Sequence, residues 1–166
     1  KTVRWIDFRA LSACFWQGKE EEAASRLLDF LRGGASDDEA WMALREFKGK
    51  FSEELFWKHE ELAFLAAQVL FGNRDYAEAA EKLAAFCGKF PDSRDAEEAH
   101  FLLGRALFLE KRLDEARAAF DAVTESKDYR LRAFYWISMI LERQDKFKEA
   151  VETLAMAAEA AGKKDG

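Results

Sequence analysis

The chain has 166 residues, 49% of them apolar and 35% charged, with a formal net charge of −6. At roughly 100–200 residues per domain this is material for one folding unit with a real core, and the acidic balance argues against a duplex nucleic acid as partner. One proline and only ten β-branched residues stand among abundant alanines, so strand formers are scarce and the chain reads as all-α.

In chain order, a first helical hairpin is expected over residues 5–34, entered through Trp5-Ile6-Asp7-Phe8 and closed by Gly33-Gly34 as a helix C-terminus. The opening on Lys1 followed at once by an apolar segment reads as a piece of a longer protein. Residues 35–59 read as an irregular helical insertion. Within it Ser36-Asp37-Asp38-Glu39 spells a capping box that starts a helix through Trp41, Leu44 and Phe47, and Gly49 and Ser52 mark a break. A further helix runs from about Glu53 towards Gly72, either as one rod or broken near His59. It contains the longest apolar run, Leu62 to Phe71 interrupted by Gln68, which is too short for the roughly 20 residues that cross a bilayer. Three hairpins are then expected over 60–96, 97–130 and 131–162, about nine helices in all.

Those three segments repeat. Tyr76-Ala77-Glu78-Ala79-Ala80-Glu81-Lys82-Leu83 is echoed by Leu113-Asp114-Glu115-Ala116-Arg117-Ala118-Ala119-Phe120 and by Phe147-Lys148-Glu149-Ala150-Val151-Glu152-Thr153-Leu154. The alanines Ala79, Ala116 and Ala150 are 37 and 34 residues apart, and Pro91-Asp92-Ser93 lies in the turn that absorbs the excess. Twelve residues before each alanine stands a small residue, Ala67, Gly104 or Ser138, followed after three positions by Leu70, Leu107 or Leu141. Small residues let two antiparallel helices approach, and large neighbours one turn away fill the space around the contact. A fainter copy sits at the start, in Ser12, Phe15, Ala24 and Leu28.

This pattern resembles the tetratricopeptide repeat family, whose period is 34 residues. The likeness is fullest over Glu97 to Arg130, where Leu103-Gly104, Leu107, Ala116 and Phe120 match, while His100 stands in place of the family's frequent tryptophan and Asp128 in place of its closing proline. The turn Phe90-Pro91-Asp92-Ser93 is also similar to longer repeats of bacterial cell-envelope proteins, which points to the periplasm or envelope rather than the cytoplasm. The resemblance implies an α-solenoid of stacked hairpins and a protein-binding scaffold. In such repeats the first helix lines a concave surface, its exposed stripe lying three before, one after and four after the small residue. Here those positions hold Phe64, Gln68 and Phe71, then Phe101, Arg105 and Phe108, then Tyr135, Met139 and Glu142, with Arg9, Ala13 and Trp16 in the faint copy.

Two readings of this aromatic stripe stand side by side. Either it is a groove for an apolar peptide or protein partner, or its rings pack on neighbouring repeats and the chain is a support or oligomerisation domain of a larger enzyme or envelope assembly. Arg105 is the single cation in the stripe of the three clear repeats, so a grip on acidic chain termini is not expected. Enzymatic chemistry is not expected either. His59 and His100 lack metal-ligand partners at helical spacing, the acidic runs Glu20-Glu21-Glu22, Glu60-Glu61 and Glu97-Glu98 fit helix first turns, and no phosphate loop or nucleophile motif is present. No cofactor is implied, and Cys14 and Cys87 read as buried thiols. With no polar closing helix after 162, the array is expected either to continue in a parent protein or to be closed by self-association.

Overall fold

The computed structural model describes residues 2–33, 35–47, 50 and 52–162, with the backbone alone for 2–8, 37 and 53. Gly34 and Gly49, named above as breakers, lie outside the described residues. Ten helices and no strand are present among those residues. They are α1 (Thr2–Trp16), α2 (Glu20–Arg32), α3 (Asp37–Phe47), α4 (Glu53–Lys58) and α5 (Glu60–Gly72), then α6 (Tyr76–Lys89), α7 (Ala96–Leu109), α8 (Leu113–Asp121), α9 (Arg130–Arg143) and α10 (Phe147–Gly162). Ten rather than nine results because the segment after Ser52 breaks at His59. His59 leaves helical geometry at φ −100° and ψ 82°, ends α4 and begins α5, and its Nε2 lies 2.9 Å from a Glu21 carboxylate oxygen on α2.

The helices gather into two compact units, residues 1–75 and 76–166, and the boundary falls inside the repeat assigned to 60–96. In the first unit α1 and α2 form an antiparallel pair, and the insertion helices α3 and α4 pack on α5 and α2. Leu11, Cys14, Ala23, Ala24, Leu27, Ala43, Phe47 and Leu62 make its core, with Phe15 stacked on Phe47 at a centroid distance of 4.7 Å. The insertion thus contributes core residues of its own, which is why this half closes on itself. Ser36 starts α3 by a capping box: its amide donates to Glu39 Oε2 (3.0 Å) and its Oγ accepts from the Glu39 amide (3.4 Å). Ser52 caps α4 by accepting from the Leu55 amide at 3.2 Å.

In the second unit each helix from α6 to α10 packs on the next. Gly104 explains the closeness of α7 and α8: a Cβ there would lie 2.7 Å from the Phe120 ring. Phe120 is fully buried, stacked nearly parallel on Trp136 of α9 at 5.9 Å and edge-on to Phe101 of α7 at 5.7 Å. One aromatic side chain therefore joins the α7–α8 pair to the helix that follows.

The repeat is also written in the backbone. Arg74, Lys111 and Asp145, spaced like the signature alanines, have φ of 65°, 63° and 59°. Each ends a helix in a Schellman turn, the next residue's amide returning to Leu70, Leu107 or Leu141 at 2.9 to 3.0 Å. Gly18, with φ 69°, makes the same turn through Lys19 N–H to the Cys14 carbonyl at 3.0 Å. The faint first copy thus shares the repeat's turn.

Candidate functional site

The stripe residues fall into two groups. On α5 of the first unit Phe64 is buried, while Gln68 and Phe71 are half-buried. On α7 of the second unit Phe101 and Phe108 are 6% and 4% exposed, so these two rings do not stand free as groove anchors. They pack between repeats. Phe101 meets Phe120 and, at 5.2 Å, Tyr129; Phe108 meets Trp136 edge-on at 5.0 Å. The reason is reach: with glycine at 104 drawing α7 and α8 together, rings on the next face of α7 extend to α9 and are covered there.

What remains open in the second unit lies along α9. Tyr135 is 54% exposed and edge-on to Trp136 at 6.1 Å, Met139 is half-buried one turn on, and Glu142 is exposed. Arg105 of α7 reaches across, its guanidinium carbon 5.9 Å from the centre of Trp136, and Arg143 of α9 reaches back to lie 4.0 Å over Phe108. The result is a firm aromatic floor with a tyrosine, a methionine and two arginines on it. Trp136 and Arg143 were not foreseen. Trp136 stands two residues before Ser138 and Arg143 five after it, outside the stripe positions, and the pairing of rings on α7 with cations on α9 has no sequence spacing of its own.

The remaining polar groups are structural. Cys14 and Cys87 are buried free thiols, and burial pushes Cys87 up to about 11, far from a reactive thiolate. His100 on α7 is half-buried with its Nδ1 unpartnered, and desolvation holds its pKa below the usual histidine value. In the first unit the Glu21 carboxylate is held below its ordinary range by hydrogen bonds from Lys58 and then His59. It borders an open hollow of about 620 Å³ whose lining includes Lys19, Glu20, Glu22, Glu54 and Lys58. No group of three or more His, Cys, Asp or Glu side chains suited to a metal ion occurs among the described residues. Nor is any helix there long and apolar enough to cross a membrane.

Hairpins joined by identical left-handed turns and sealed by small residues define a helical-repeat protein, a class that works by offering surfaces. Residues 64–131 match the tetratricopeptide repeat family, a repeat found in protein-interaction scaffolds. Solved structures of MamA share the fold. One crystal structure of MamA is 19% identical with a TM-score of 0.70, over 95% of this chain and 88% of that one. MamA from residue 41 to its end, from Desulfovibrio magneticus RS-1, is 19% identical with a TM-score of 0.61, over 98% and 97% of the two chains. MamA of strain AMB-1 is 17% identical with a TM-score of 0.61, over 95% and 91%. At such identities the likeness is one of fold. No curated protein matches the chain in sequence.

Proposed function

We propose that the chain is a non-catalytic scaffold that binds a peptide or protein partner on the first-helix face of its repeats, in the second unit along Tyr135, Met139 and Arg105. The observation that carries this reading is Tyr135, a large ring 54% exposed on a buried aromatic floor. Tyrosine, methionine and arginine are the side chains enriched at interface centres, and a floor that is already ordered lowers the entropy lost on binding. Phe101 and Phe108 serve by holding that floor rather than by touching the partner.

Capture from a lysate of the source cells tests it. The Tyr135→Ala/Met139→Ala variant, melting like the parent, loses proteins that the parent retains; identical capture by both overturns the reading.

A second reading, a support or self-association domain, draws on α10. Its Phe147, Val151 and Leu154 are 60%, 67% and 42% exposed at helical spacing, and Ala150 is the one fully buried side chain described on that helix. Sedimentation of the parent against Val151→Glu/Leu154→Glu separates it: a dimer that the variant abolishes favours this reading.

A further inference from the structure

We propose that the partner carried on the face of α7 and α9 presents an acidic side chain, and that Arg143 is the group that receives it. This rests on the scaffold reading and adds the chemistry of the partner.

Four cations of the second unit are spent in ion pairs within the chain. Arg112 pairs with Glu115, Arg117 with Asp121 and Glu149, Arg94 with Asp95 and Lys148 with Glu152. Arg143, like Lys111, Lys127, Arg130, Arg132 and Lys146, makes no ion pair among the described residues; what sets it apart is the aromatic ring beneath it. Glu142 precedes it but points about 100° away round the helix, and the two do not meet. The guanidinium carbon of Arg143 lies 4.0 Å from the centre of the Phe108 ring, although Arg143 is an exposed residue in the last turn of α9.

A guanidinium seated on a ring keeps its N–H edge available while one face is covered. The ring favours this placement of the cation, so a carboxylate meets a two-pronged donor close to where it is needed. The same pair of rings holds a second cation, Arg105 over Trp136, and the two rings are 5.0 Å apart. On a chain of net charge −6 an acidic segment is repelled in general. A ring-held cation beside exposed Tyr135 supplies the local attraction that sets where such a segment docks.

The test is selection of short displayed peptides of random sequence on the parent, on Arg143→Gln and on Arg143→Lys, each shown to melt normally. The expected result is enrichment of Asp and Glu beside apolar residues on the parent. A selected peptide then loses about tenfold in affinity, near 1.4 kcal/mol, on Arg143→Gln, with Arg143→Lys between. An Asp/Glu to Asn/Gln copy of that peptide loses the same on the parent and nothing further on Arg143→Gln. Selection of apolar peptides without acidic bias, or an acidic bias unchanged in Arg143→Gln, overturns this inference and leaves the scaffold reading standing. Enrichment of no peptide at all counts against both. Tighter binding of an oligothymidylate than of the acidic peptide also overturns it.

Discussion

Trp16 and Phe108 occupy the same place in two copies of one repeat, four residues after the small residue of a first helix, yet they meet opposite fates. Phe108 in the second unit is 4% exposed between α7 and α9, while Trp16 in the first is 89% exposed at the end of α1. Position in a repeat thus decides which way a side chain points, and the neighbouring helix decides whether it is covered. In the second unit successive helices of the same kind supply that cover. In the first unit, α3 and α4 replace the regular continuation, and core closure comes from Phe47 and Leu62 on inserted or adjoining helices.

The sharpest way to break this comparison is truncation at the two equivalent positions. Phe108→Ala should cost about 3–5 kcal/mol by removing a buried ring, whereas Trp16→Ala should stay within about 0.5 kcal/mol; thermal melting of both decides it. Equal effects would mean that the two units do not differ as described.

Gly104→Ala comes next. Its methyl group would meet Phe120 at 2.7 Å, and Phe120 is pinned by Trp136 and Phe101, so a loss of about 1–3 kcal/mol is expected in a denaturant titration.

The acid response of the second unit should follow His100. Desolvation holds its folded-state pKa below the unfolded value of 6.5, so above that pH the group is neutral in both states and contributes no difference. As pH falls through 6.5 towards the folded value, the unfolded chain takes up the proton first and stability is lost. Compared with His100→Leu, the parent should lose more stability between neutral pH and mildly acidic pH; parallel curves would contradict this.

The smallest effect is expected at Lys111, a non-glycine residue at φ 63°. Lys111→Gly relieves the left-handed strain but adds freedom to the unfolded chain, leaving a gain of about 0.5 kcal/mol.

The same contrast explains what was legible in the sequence. The spacing of Ala67, Gly104 and Ser138 against Ala79, Ala116 and Ala150 revealed the hairpins because helix contact demands small residues at a fixed interval. The cap at Ser36 and the break at Ser52 were legible because both are local chemistry, while the role of Ser52 as the cap of α4 emerged only in the structure. Burial of Phe101 and Phe108 was not, since it depends on the separation of α7 and α9 rather than on spacing along either helix. Trp136 and Arg143 escaped notice for the same reason: their partners, Phe120 and Phe108, lie 16 and 35 residues away on other helices. The break at His59 was not decided by the sequence because a contact that orients it, to Glu21 on α2, comes from far off along the chain.

The most direct test of the central claim is site-specific photo-cross-linking in the source cells, with a benzophenone side chain at position 135 and, separately, at exposed position 118 on α8. The account predicts a discrete cross-linked protein from 135 and none in common from 118. The same products from both positions, or products from 118 alone, would contradict the assignment of the partner to the face of α7 and α9.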